Sequence, residues 1–226
     1  MIRELPGANY AITTNGAVIA DLKTNKAIRT CGLSNEMVQR ILNIAKKYHS
    51  ATDPFIDGRA ITQPSSIDHM DEFGLSPQMQ KLIRDTREVV PDVMEYVKTT
   101  GAQAEKINIF MADLEEREIL RRELMAMPEL SISSSMYNNL EVNAKGADKG
   151  SALLWLADHL GISREETMAF GDGENDIPMI KDAGIGVAME NALDAVKEAA
   201  DTITLNNDED GVAAAIRKFI FGSSEE

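Results

Sequence analysis

The sequence predicts an α/β protein: a doubly wound parallel core with a smaller α/β cap inserted into it. Three observations carry that prediction. From Gly146 onward, buried strands and amphipathic helices alternate strictly, whereas the middle of the chain mixes the two without that rhythm. The third is the stretch Thr167-Met-Ala-Phe-Gly-Asp-Gly-Glu-Asn-Asp-Ile-Pro-Met179, where a short apolar run stops at carboxylates, an amide and two glycines. Met168, Ala169 and Phe170 read as a buried strand, and Gly171, Asp172 and Gly173 turn the chain because glycine enters positive φ freely. Asn175 or Asp176 then caps a helix with Pro178 in its first turn. The polar groups therefore sit beyond the carboxyl end of a strand, where open α/β sheets bind ligands, and a helix start there favours phosphate. Asp172 and Asp176 are hard oxygen donors of the kind Mg2+ takes beside a phosphate. Taken alone, the same residues also make a capped loop.

In chain order, Leu5-Pro-Gly-Ala is a turn signal, and the β-prone run from Asn9 ends at Asn15-Gly16. Ala17–Asp21 and Lys26–Cys31 flank a polar turn and read as a hairpin leading to Ser34, an N-cap. Met37, Ile41, Leu42 and Ala45 form the apolar stripe of the helix that follows. Asp57-Gly58 sits between two β-prone runs as a second hairpin turn. From Gln63 to Thr86 helical pieces carry no chemical signal, and His49, His69 and His159 each read as an isolated imidazole. Lys106–Met111 is a strand and Leu114–Met125 a charged helix, its Glu115, Glu116, Glu118, Arg121 and Arg122 forming a solvated face. Leu130–Ser133 and Leu140–Asn143 give two more strands.

After Gly146, a helix buries Leu153, Leu154, Leu156, Ala157 and Leu160, with Trp155 at its edge, and stops at Gly161. Ser163–Glu166 fits a capping box. Met179, Ile180 and Ala183 line the helix beyond the acidic loop; then come a buried strand at Ile185–Met189, a helix at Asn191–Ala200, a short strand at Thr202–Leu205 and a last helix at Gly211–Phe221. The tail Ser223–Glu226 frays.

With 226 residues the chain can build one large or two modest domains. A net charge of −14 and a pI near 4.7 argue against nucleic-acid and anionic-membrane partners, because the field repels phosphate backbones. Cys31 is the only cysteine, which points to a reducing, cytoplasmic setting; nothing has the apolar length of a membrane span, and Met1-Ile-Arg-Glu-Leu-Pro lacks a signal peptide's apolar region. No Gly-x-Gly-x-x-Gly follows the first strand, which disfavours a dinucleotide-binding protein.

The ordered set Thr14-Asn15-Gly16-Ala, Gly146-Ala-Asp-Lys149-Gly150, Phe170-Gly-Asp172-Gly-Glu-Asn175-Asp176-Ile-Pro-Met179 and Gly186-Val-Ala-Met resembles the haloacid dehalogenase superfamily, Cof-like branch. That resemblance implies a Mg2+-dependent phosphatase of small phosphorylated metabolites with a Rossmann-like core, residues 1–33 and 145–226, and an α/β cap, residues 34–144. It implies that Lys149 holds the phosphoryl group and balances the nucleophile's charge, that Asp172 ligates Mg2+, and that Asp176 braces the loop or joins the metal's ligands. Asn175, with Asn15 and Gly16, would contact phosphate or substrate. A lysine in a helix's first turn opposes the macrodipole, so a bound anion would offset its cost.

The departure from the family is equally specific. Relatives carry Asp-x-Asp-Gly-Thr, whose first Asp attacks phosphorus and whose second acts as acid and base, and a later Thr-Gly-Arg; neither is in this sequence, and no Asp precedes Asp21. The expectation is a chain lacking its first βαβ unit, hence inactive alone, with central strand edges left to recruit other copies. The alternative is a non-catalytic phosphate-binding or interaction module.

Overall fold

The computed structural model describes residues 7–222, and internal contacts divide the chain into two compact units, Met1–Ala147 and Asp148–Glu226. The turn signal starting at Leu5 lies partly, and the tail from Ser223 wholly, outside the described residues.

In the first unit, β1 (Tyr10–Thr13), β2 (Val18–Asp21) and β3 (Lys26–Thr30) form an antiparallel ribbon in that order, which adds β1 to the predicted hairpin of β2 and β3. Ser34 caps α1 (Asn35–Ala45) by accepting from the Met37 N–H at 3.2 Å. Then β4 (Ala51–Ile56) and β5 (Arg59–Thr62) close over Asp57 and Gly58, whose φ angles of 50° and 73° suit a two-residue hairpin turn. There follow α2 (Pro64–Asp68), α3 (Pro77–Thr86), β6 (Glu88–Val89), α4 (Val93–Thr100), β7 (Lys106–Phe110), α5 (Leu114–Met125), β8 (Leu130–Ser133) and β9 (Asn139–Ala144). The six strands from β4 to β9 make one sheet in the order β6-β5-β4-β7-β9-β8, parallel only between β5 and β6.

Alternation gives that sheet two unlike faces. Ile107, Ile109, Leu140 and Val142 join Val38, Ile41, Leu42, Val97, Leu120 and Leu124 in one apolar cluster. On the opposite face, strand register lines up Asp53, Asn108, Glu141 and Ser133 in a row across four strands. The far end of this face is apolar, where Ala51 and Phe110 pack with Met70, Phe73, Leu75 and Ile83. Two ion pairs lie within the polar part, Lys106 Nζ to Glu141 at 2.7 Å and Arg87 Nε to Asp53 at 3.1 Å.

Several readings change here. The inner stripe of α1 keeps Ile41, Leu42 and Ala45 as read, but Val38 takes the buried place expected of Met37, which is only partly buried at its border. Arg117, in the middle of the charged helix, is buried, donating from Nε to the Asn139 carbonyl at 3.0 Å and also to Ser134. The histidines are not all isolated: His49 Nε2 and His69 Nδ1 lie 3.0 and 2.7 Å from the two oxygens of Glu72, and His49 stacks on Phe73. His159 stacks on Trp155.

The second unit keeps the predicted rhythm: α6 (Lys149–Leu160), β10 (Met168–Gly171), α7 (Ile177–Asp182), β11 (Ile185–Ala188), α8 (Asp194–Ala199), β12 (Thr202–Ile203) and α9 (Gly211–Ile220). Its strands form a parallel sheet, β10-β11-β12. Ile180, Ala188, Met189, Ala192 and Val196 form its core cluster. The helix after Asn191 begins only at Asp194. On α6 the buried residues are Gly150, Ala152 and Ala157, while Leu153, Leu154 and Leu156 are half-buried and Leu160 is 40% exposed. The helix makes its closest approach on a glycine, which leaves the bulky leucines to its flanks.

Carbonyls of Thr167 and Gly171 accept from Ile185 and Met189, so the backbone groups of Met168 and Phe170 point away from β11. No strand pairs with that side of β10 among the described residues. An unpaired apolar edge recruits strands. We therefore expect concentration-dependent self-association in light scattering, and a soluble monomer with a cooperative melt would count against it.

Candidate active site

The acidic loop is built around Asp176. Glu174–Asp176 forms one 3-10 turn, and Asp176 occupies the N-cap position of α7, but its carboxylate turns back instead of capping the helix. One oxygen accepts from the N–H groups of Asp172 and Gly173, each at 3.0 Å, and the other is paired with Lys149. The glycines serve a different purpose from the one their sequence suggests. Gly173 has φ −104°, and Gly171 is not among the positive-φ residues. A side chain on Gly171 would collide with the Asp176 Cβ, so glycine here permits close approach of the carboxylate.

Lys149 is the first residue of α6. Asp148 caps that helix, accepting from the Ser151 N–H at 2.8 Å and its hydroxyl at 2.7 Å. The ammonium at this helix start is unfavourable against the macrodipole, and the buried Asp176 carboxylate offsets it. Gly150 sets the spacing, since a Cβ there would fall 2.7 Å from the Pro178 carbonyl oxygen. Lys149 and the acidic loop are thus fixed to one another through the first turn of α7.

Asp172 is exposed at the loop's tip. Its carboxylate accepts from the Asn191 side-chain amide at 3.0 Å and its carbonyl from the Leu193 N–H at 3.1 Å. Asn175 is half-buried, its Oδ1 3.1 Å from where a Gly173 Cβ would stand. Among the described residues no group of three or more His, Cys, Asp or Glu side chains is arranged to hold a metal ion. Asp176 has both oxygens engaged, one by the N–H groups of Asp172 and Gly173 and the other by Lys149. Asp172 remains as one exposed hard donor with one carboxylate oxygen bound to Asn191, which fits Mg2+ in its usual manner: one or two carboxylates, substrate phosphate and water.

Asn15 and Gly16 belong to the first unit. Thr14, Asn15 and Gly16 have φ of 49°, 58° and 96°, three successive left-handed residues of which only glycine adopts that region freely. Side chains hold the turn: Asn15 Nδ2 donates to Glu141 at 2.8 Å and to Asn143 Oδ1 at 3.2 Å, and Asn143 Nδ2 donates to the Thr14 carbonyl at 2.9 Å. Burial alone would raise the Glu141 carboxyl, but the Lys106 ammonium, with hydrogen bonds from Lys106 and Asn15, holds it below its ordinary value. The sequence marks Glu141 and Asn143 only as polar alternates in a strand; their burial beside Lys106 depends on β7 pairing with β9.

A family model described as haloacid dehalogenase-like hydrolase matches residues 1–216. The chain belongs to the haloacid dehalogenase-like hydrolase family. Among its relatives, the 5-amino-6-(5-phospho-D-ribitylamino)uracil phosphatase YcsE of Bacillus subtilis is 50% identical over 114 residues, 49% of this chain and 46% of that protein. The chain thus aligns with less than half the length of this relative. A solved haloacid dehalogenase-like hydrolase from B. subtilis superposes with a TM-score of 0.82 at 27% identity, over 93% of this chain and 79% of its own. A subclass IIB sugar phosphatase of the superfamily gives 0.75 at 27% identity, over 93% and 75%. The α/β class and the Rossmann-like core read from the sequence are those of this hydrolase family.

Proposed function

We propose that this family member carries the phosphate-gripping part of a phosphatase that hydrolyses small phosphorylated metabolites. The observation that carries this reading is the Lys149 ammonium held against the 171–176 loop by Asp176. An ammonium anchored in this way meets a phosphoryl group without reorganising, which is how positioned charge lowers a barrier. Asp172 would hold Mg2+. Bound there, the ion supplies further neutralisation of phosphoryl charge. Asn175 supplies an amide beside Gly173 for the phosphate or substrate, and Asp176 keeps Lys149 and the loop in register. Asn15 and Gly16 are also proposed as substrate contacts.

Family chemistry runs through an aspartyl-phosphate, and the nucleophile's Asp-x-Asp-Gly-Thr is not in these 226 residues. Asp208-Glu209-Asp210-Gly211 is a partial match, but it is followed by Val212 and opens α9, with Asp210 at φ 55°. The chain alone is therefore proposed to bind without turning over. A second reading, a non-catalytic phosphate-binding module, draws on Asp176: the loop's one buried carboxylate is committed to bracing. The lone Cys31, a free thiol, suits a reducing cytoplasm. No helix among the described residues is long and apolar enough to cross a membrane.

Calorimetric titration with Mg2+ and inorganic phosphate tests the site. We expect weak binding of both, with Mg2+ lost in Asp172→Ala and phosphate lost in Lys149→Ala. Equal binding by the wild type and Asp172→Ala would remove Asp172 from the metal site.

A further inference from the structure

Asn191 stands outside every motif read from the sequence, yet its side-chain amide donates a hydrogen bond to the Asp172 carboxylate. We propose that Asn191 is a positioning residue that fixes the Asp172 side chain for a divalent cation. The inference rests on the reading of Asp172 as the metal ligand.

The amide is clamped at both ends. Its Oδ1 accepts from the Asn207 backbone N–H at 3.0 Å, and its Nδ2 donates to Asp172 Oδ2 at 3.0 Å. A backbone N–H can only donate and an ionised carboxylate can only accept, so these partners allow one orientation of the amide. The post it leans on is itself tight. Asn206 receives the N–H groups of Glu209 and Gly211 on its carbonyl and that of Asp208 on its side chain, and the Thr204 hydroxyl donates to the Gly211 carbonyl.

On the other side, the backbone of Asp172 is already held. Its N–H is given to Asp176 and its carbonyl receives the Leu193 N–H. What remains free in Asp172 is rotation of the side chain, and the Asn191 bond removes it. One carboxylate oxygen is turned to the amide, leaving the other to a hard cation. Leucine at 191 would match asparagine in size but give no donor, and an aspartate would set a like charge against Asp172. Hydrogen bonds behind a ligand commonly govern metal affinity by 10- to 100-fold.

The experiment compares wild type, Asp172→Ala and Asn191→Leu by calorimetric titration with Mg2+ in the presence of inorganic phosphate. Thermal melts are run alongside, and the Asn191 side-chain amide resonances are followed through the same titration. We expect Asn191→Leu to lose about 10-fold in Mg2+ affinity with an unchanged melting temperature. In the wild type, the amide resonances should move with the binding midpoint. Loss of binding in Asp172→Ala with full affinity in Asn191→Leu would overturn the positioning role while leaving the metal assignment standing. Unchanged binding in Asp172→Ala would overturn the assignment, and the inference with it. If Asn191→Leu fails to fold, the wild-type amide decides: resonances that stay still through saturation overturn the proposal.

Discussion

Residues 1–226 should leave p-nitrophenyl phosphate and small sugar phosphates intact, and should turn them over once fused behind a βαβ segment carrying Asp-x-Asp-Gly-Thr. Attack of unactivated water on a phosphomonoester is among the slowest reactions enzymes accelerate, so a positioned nucleophile is indispensable. The nucleophile must also lie in line with the leaving oxygen. Asp176 is no substitute, because its two oxygens are bound to Lys149 and to the N–H groups of Asp172 and Gly173. In the proposed roles Lys149 and Asp172 would stabilise charge, but groups that act as a unit lose nearly all their effect when one member is missing. Turnover by the fused protein should vanish with Lys149→Ala or with replacement of the first added Asp. Robust turnover by residues 1–226 alone, unchanged by the fusion, would show that the nucleophile lies elsewhere.

Lys106→Met should be among the most destabilising single changes in the first unit, costing about 3–5 kcal/mol, because it strands a buried carboxylate. The side chains of Lys106 and Glu141 are 11% and 5% exposed, so solvent cannot take the partner's place. Replacing both, as Lys106→Met with Glu141→Leu, should recover most of the loss, short of about 1 kcal/mol for the hydrogen bond from Asn15. The pH dependence carries a matching sign. In the wild type the Glu141 carboxyl lies below its ordinary value, so the pair's contribution is present above about pH 4.5 and is lost as pH falls through the folded-state value. Without Lys106, burial is left to raise the same carboxyl, and the variant's deficit should shrink on acidification. Urea midpoints measured at several pH values check both statements. A single variant within 1 kcal/mol of wild type would show that the pair contributes little.

Elements were legible where the cue is local. Ser34 before an apolar stripe, Asp57-Gly58 between β-prone runs, and Ser163 with Glu166 all declare themselves within a few residues, and each takes its expected place. The acidic loop was legible for the same reason, since its carboxylates directly follow a strand. What the sequence hides is partnership at a distance. Lys149 meets Asp176 across 27 positions, Asn191 meets Asp172 across 19, and Lys106 meets Glu141 across 35. Each contact exists only once helices and strands have packed. Gly171 shows a subtler limit: one letter serves a positive φ or a close approach, and only the packed loop tells them apart.

The contact at Gly150 also decides how motion passes through the second unit. With hydrogen in place of a side chain, α6 rests closely on the Pro178 backbone and the Asp182 carboxylate, with less of the compliant cushion that rotatable side chains usually supply between helices. A stiff joint transmits displacement with little loss. Any tilt of α7 therefore carries the start of α6 with it, and the ammonium and the acidic loop travel as one lever whose fulcrum is a glycine.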